Sequence, residues 1–329
     1  MQLVPQPSNV NQNVLHPLFS YLNQADLQKL SGAVLVSTGA NAQAIARLVQ
    51  SLKQQWTRSA VLTYANVLMS EQYFHLAEQL LENTPPNDWR YWSNWVDSRA
   101  FSRRHLGRFD EAAKDFVELR EELETRLKKT KRRDWLVADL ILVSEHEIEV
   151  SVLIAALKRS KDRESILRHC EGLLQKCRLW HGNAKYLAPT FELNYYDGEI
   201  GLLRGRLKDA REGYRLYEEK GRYWLGDAAV ALVASRQAVV EAAAGYFGEA
   251  LTKWRKGYQI AKPPMPLMVR IQYLFIFPAL LVSPIWGYWI TRIIAAQLYG
   301  FYGRLKFLLL RVRQPEIYHL IRKSLALRQ

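Results

Sequence analysis

A chain of 329 residues in which 49% are hydrophobic and 24% are charged has enough apolar mass for a packed core, which excludes global disorder. Lys and Arg outnumber Asp and Glu by 46 to 32, a formal charge of +14, so the chain favours anionic partners: nucleic acid, an anionic lipid surface or an acidic protein. Two cysteines, Cys170 and Cys177, are too few for a disulfide scaffold and fit a reducing compartment.

The first residues, 1–12, lack the basic start and apolar core of a secretory signal and read as a disordered polar tail. From there to about residue 262, apolar residues recur at helical spacing, with almost no strand alternation. The pattern predicts helices over 13–29, 40–54, 57–69, 73–82, 91–104, 109–127, 134–158, 163–179, 190–203, 207–219, 224–243 and 247–260. Several of the links contain only a few residues, which forces antiparallel neighbours.

Four of the turns repeat a pattern: EQYFHLAEQLL from Glu71, LGRFDEAAKDF from Leu106, RGRLKDAREGY from Arg204 and AGYFGEALTKW from Ala244. Each has a large apolar residue (Phe74, Phe109, Leu207, Phe247), an alanine three places on (Ala77, Ala112, Ala210, Ala250) and a second large residue four further (Leu81, Phe116, Tyr214, Trp254). Gly107, Gly205 and Gly245 mark three of these turns. A glycine permits the tight backbone, the alanine lets two helix axes approach, and the flanking large side chains fill the groove beside it. Ala77 and Ala112 lie 35 residues apart and Ala210 and Ala250 lie 40 apart.

This pattern resembles the tetratricopeptide repeat (TPR) family, whose repeat is about 34 residues. The chain departs from the family before each turn, where Leu68, Arg103, Gly201 and Glu241 stand in place of the usual tyrosine. The resemblance implies an all-α fold over 13–262, a right-handed α-solenoid of antiparallel helix hairpins, with a groove that holds a protein or peptide partner. Carried onto this chain, the repeat frame puts Asn66, Asn94, Asp97, Phe101, Arg104, Tyr195 and Glu199 on the inner wall. They do not reproduce the Lys/Asn/Arg clamp with which some TPR domains hold chaperone tails.

Residues 263–303 form a C-terminal hydrophobic helical segment. Ile271 to Thr291 carries no charge in 21 residues and would be about 31 Å long as one helix, close to the ~30 Å of a bilayer core. Pro278 and Pro284 interrupt it, so a hairpin turning near Pro284–Gly287 competes with a single crossing. Tyr273, Phe275, Phe277, Trp286, Tyr288 and Trp289, with Arg292, Arg304 and Lys306, are the expected membrane-anchoring residues. The tail, 304–329, is basic and amphipathic and suits an anionic lipid surface; from Arg292 onward eight Lys/Arg face one Glu.

No phosphate-binding loop, nucleophile elbow or zinc-protease motif occurs in the sequence. SEHEIEV, from Ser144, reads as a solvated helix face. Cys170 and Cys177, about 10 Å apart along one helix, cannot share a zinc ion. The expectation is therefore a non-enzymatic, membrane-associated scaffold or assembly factor that needs no cofactor or metal, with its solenoid facing the cytoplasm. A nucleic-acid-binding solenoid using the basic run Lys128–Arg133, and an enzyme without a recognisable motif, are the alternatives.

Overall fold

A computed structural model describes residues 58–83, 89–130, 134–158, 160–182, 192–225, 227–260, 267–315, 318–319 and 321–322. The expected polar tail and the helices over 13–29 and 40–54 lie outside the described residues, as do the residues joining the repeats to the apolar segment and the end of the basic tail. Within the described residues the chain is wholly helical: α1 Arg58–Ser70, α2 Phe74–Glu82, α3 Trp89–His105, α4 Phe109–Lys129, α5 Asp134–Leu157, α6 Ser160–Gly182, α7 Glu192–Leu203, α8 Leu207–Leu225, α9 Asp227–Ala243, α10 Phe247–Ile260, α11 Leu267–Val282 and α12 Pro284–Arg313. The ten helices expected from residue 57 onward correspond to α1–α10. The largest difference is α8, which continues through a buried Gly221 to Leu225 instead of stopping at 219.

Helices adjacent in sequence pack on one another along the chain: α1 on α2, α4 on α5, α5 on α6, α7 on α8, α8 on α9 and α9 on α10. The chain divides into two compact units, one of residues 1–99 with 306–329 and one of residues 100–305.

The repeated turns have one hydrogen-bond plan. At each, a residue enters the left-handed region: Gln72 (φ 67°), Gly107 (76°), Gly205 (73°) and Gly245 (87°). The next amide then reaches back five residues: Tyr73 to Leu68 O (2.7 Å), Arg108 to Arg103 O (2.9 Å), Arg206 to Gly201 O (2.8 Å) and Tyr246 to Glu241 O (2.8 Å). Together with the shorter bond from the left-handed residue itself, this is a Schellman close, which satisfies carbonyls the ending helix leaves open. The four carbonyls that accept that long bond belong to Leu68, Arg103, Gly201 and Glu241, the positions before each turn where the sequence lacks a tyrosine. Two of them also carry ion pairs between helices: Arg103 to Asp115 (2.8 Å), and Glu241 to Arg211 (2.7 Å) and Lys253 (3.0 Å).

Ala77, Ala112, Ala210 and Ala250 are all buried, and so are Ala65, Ala100 and Ala238 on the preceding helices. Close approach is tightest between α7 and α8, where a Cβ on Gly213 would lie 2.6 Å from Gly198 N and 2.7 Å from Asn194 O. The last repeat differs. Phe247 is 52% exposed, because α11 packs against the later part of α10, around Trp254 and Gly257, and leaves its first turn uncovered.

In the first unit, Trp95 donates to Leu81 O (2.7 Å) and Arg99 lies over the Trp95 ring. The end of α12 packs on the α1–α2 turn. Lys306 Nζ donates to Glu71 O (3.1 Å) and Oε2 (2.7 Å), and Phe307 packs edge-on against Tyr73 and, tilted, against Tyr318.

Gln72 is the one described non-glycine residue with positive φ, a conformation that costs an L-residue about 1 kcal/mol. Gln72→Gly is expected to stabilise the protein by about 0.5–1 kcal/mol in urea unfolding; a loss of stability would contradict the Schellman assignment of this turn.

Candidate functional site

The apolar C-terminal segment is two helices. The break falls at Ser283, with Pro284 at the first position of α12, where a missing N–H costs nothing. The bend is tight: a Cβ on Gly287 would meet Ala279, 3.0 Å from its Cα. α11 carries Pro278 in its interior and packs on α9 and α10. The Tyr273 hydroxyl donates to Ala231 O and enters a space that exists because residue 257 is glycine. Trp254 Nε1 donates to Tyr273 O (2.9 Å), and the Trp254 and Phe277 rings are 4.9 Å apart.

α12 then lies across side chains of α9, α7, α5 and α3. Its first turns carry Tyr288 and Arg292 onto Glu199 of α7, whose side chain is 1% exposed. Tyr288 Oη donates to Glu199 Oε1 (2.8 Å), Tyr214 Oη donates to the same oxygen (2.9 Å), and Arg292 Nη1 pairs with Oε2. Arg236 of α9 sits 3.8 Å from Glu199 Oε1 and donates to Tyr195 Oη (3.2 Å). The other fork of Arg292 reaches Glu149 of α5 at 3.6 Å, and Arg104 of α3 pairs with that same carboxylate. Farther along α12, Tyr299 packs on His105 (5.9 Å), and Gly300 is flush against Leu106.

The electrostatics follow from burial and pairing. Burial works to raise the Glu149 carboxyl, but the charges of Arg104 and Arg292 outweigh it and hold the group below its ordinary value. Burial pushes the His105 imidazole down to about 3, with the Arg104 charge adding, so the ring is neutral and Arg104 can donate to its Nε2 (3.2 Å). Burial raises the phenols of Tyr195 and Tyr214, which keeps both hydroxyls protonated as donors. Three guanidinium groups, two carboxylates and three phenols thus join five helices, α3, α5, α7, α8 and α9, to α12. Such an arrangement binds: each charge faces an opposite charge or a hydroxyl at hydrogen-bonding range.

Of the expected inner-wall residues, Phe101, Arg104, Tyr195 and Glu199 fall in the second unit. Arg104, Tyr195 and Glu199 belong to this network, and Phe101 packs beside it on His105 (4.5 Å). Asn66, Asn94 and Asp97 belong to the first unit and are half-buried. Of the expected membrane-anchoring residues, Tyr273, Tyr288 and Trp289 are buried in protein, and Arg292 is held by the two carboxylates. Phe275, Phe277, Trp286 and Arg304 are exposed, and Lys306 is bonded to Glu71.

Glu149, Arg236 and Tyr214 were missed as site residues. SEHEIEV is not a solvated face: Ser144, Glu145 and Glu147 are buried, Glu147 pairs with Arg120 (2.7 Å) and His169 (2.8 Å), and burial pushes Glu145 up to about 8. The available signal was the placement of these acids inside an otherwise apolar 24-residue helix. Cys170 and Cys177 are buried free thiols, both pushed up to about 12 by burial, and among the described residues no three metal-ligating side chains form a cation site.

Removing one member of a buried ion pair strands the other, at a cost of about 3–5 kcal/mol. Arg292→Ala is therefore expected to lower unfolding free energy by about 3 kcal/mol. Tyr288→Phe should lower it by about 1.5 kcal/mol, since one hydrogen bond to a charged group is lost. The two effects should be non-additive in a double-mutant cycle, because both side chains act on Glu199; additive effects would contradict a shared site. No protein-family model matches the chain, and no curated protein matches it.

Proposed function

We propose that the protein is a non-enzymatic, membrane-associated interaction scaffold: a TPR-like right-handed array of helix hairpins held to a lipid surface through α11 and α12. Its role is to recruit or assemble protein partners there. The observation that carries this reading is the inverted amphipathicity of α12. The face toward the protein holds Tyr288 and Arg292, and the face toward solvent holds Trp286, Ile290, Ile294, Phe301 and Leu305. On α11 the exposed apolar residues are Leu274, Phe275, Phe277, Leu281 and Val282, the last 87% exposed. α12 is also long and apolar enough to cross a membrane. Exposed apolar surface of this extent marks a membrane or protein contact, and the basic end of the chain favours an anionic membrane.

The array supplies the partner-binding surface, and the cytoplasm is the compartment in keeping with two free thiols. A partner that used Arg104, Tyr195 and Glu199 would have to displace α12, so the scaffold reading places partners on surfaces that α12 leaves open. The triple variant Ile290→Asn, Ile294→Asn, Phe301→Asn alters only the outer face. In cell fractionation the native chain should remain in the membrane pellet through a high-salt wash, and the variant should move to the soluble fraction with its thermal unfolding intact. A native chain that stays soluble and monomeric without detergent would overturn the membrane reading.

A further inference from the structure

We infer that α12 does not cross the bilayer but lies along one anionic leaflet, with the helices it packs on, α3, α5 and α7, on the same side. This rests on the membrane-association reading and specifies its geometry. At about 100° per residue, Tyr288, Arg292, Ala295 and Tyr299 share one side of α12, and Ile290, Ile294, Phe301 and Leu305 share the opposite side. The inner side is attached to protein at Glu199 and Glu149 near its start and at Leu106 beside Gly300. From Tyr288 to Gly300 that is about 18 Å of helix, more than half the hydrocarbon thickness.

A crossing helix must meet lipid, or other apolar membrane-embedded surface, through that depth. Here the depth is lined by α3, α5 and α7, which bring Arg104, Glu149 and Glu199 with them. Crossing would require either dragging these helices into hydrocarbon, at about 2.5–3.5 kcal/mol per charge at mid-depth, or stripping Arg292 from its two carboxylates and inserting it alone. Lying in the plane requires neither. It also gives the outer stripe a solvent: a helix with one apolar face settles about 5–10 Å into the boundary between headgroups and acyl chains.

The ends of the stripe suit that depth. Trp286 sits at its start with Arg163 of α6 stacked 4.6 Å from the ring, an aromatic and a cation at one level. Arg304 is exposed beside Leu305. Both cations would reach the phosphates of an anionic leaflet while the apolar residues enter it.

The test uses the full chain with an epitope tag at each end, synthesised cell-free in the presence of sealed vesicles of phosphatidylcholine with phosphatidylserine, so that crossing is permitted. The vesicles are floated and treated with protease from outside. The expected result is flotation with loss of both tags. A fluorophore on Ile294→Cys should be quenched at least twofold more by lipids with a shallow nitroxide than by lipids with a deep one. Flotation with one tag protected, or with deeper quenching at Ile294, overturns the in-plane geometry but leaves membrane association standing. No flotation overturns membrane association itself.

Discussion

The carboxylate of Glu199 is where the C-terminal helix is attached to the repeats. A carboxylate enclosed this completely is tolerated only when every oxygen is satisfied and an opposite charge is close. Tyr214 and Arg236, from the repeats, provide part of that. Tyr288 and Arg292, from α12, provide the rest. The consequence is mutual dependence. Without α12 the repeats would hold an under-compensated acid in their interior, and without the repeats Arg292 would stand unpaired as the one charge in the first 20 residues of α12.

This attachment determines which face of α12 is turned outward. Once Tyr288 and Arg292 point at α7 and α5, helical periodicity places Ile290, Ile294 and Phe301 on the opposite side. The surface chemistry of the protein at that point is therefore set by a buried ion pair, and a hydrophobic exterior results from a polar interior. In an ordinary water-soluble helix the two faces are the other way round. Upstream, left-handed residues at 107, 205 and 245 close the pairs α3–α4, α7–α8 and α9–α10, and Arg104, Glu149, Glu199 and Arg236, from four different helices, reach the one helix laid across them.

Much of the helical framework was legible in the sequence because it is written in local patterns. The apolar period gave the helices, Gly107, Gly205 and Gly245 gave the turns, and Ala112 and Ala210 gave the close contacts. Gln72 did not stand out, because a glutamine carries no mark of positive φ and is held there by the same hydrogen bonds that the glycines make. The apolar stretch from Ile271 was visible, and a turn near Pro284–Gly287 was one of the two readings it allowed, since Pro284 can either kink a helix or begin one; the break falls just before it, at Ser283. The network was the least legible part. Glu149, Arg236 and Tyr288 are far apart in the chain, and nothing local distinguishes an acid that will pair with an arginine 143 residues later from one that faces water. Polar residues inside apolar helices, as in SEHEIEV, are the nearest thing to a signal, but whether they meet water or protein is decided by distant partners: Arg120 of α4 and His169 of α6 for Glu147, and Arg292 of α12 for Glu149.

The most direct test of the account is whether α12 sits on the α3–α4 turn in the intact chain. Gly300 and Leu106 are in contact, with a Cβ on Gly300 falling 3.3 Å from Leu106 Cα, so cysteines at the two positions would be immediate neighbours. The double variant Leu106→Cys, Gly300→Cys should form an intramolecular disulfide under mild oxidation, in solution and on vesicles alike, while the two native thiols stay buried. Failure of a folded double variant to cross-link in either setting would mean that the helix is not docked on the repeats, and the account would be wrong at its root.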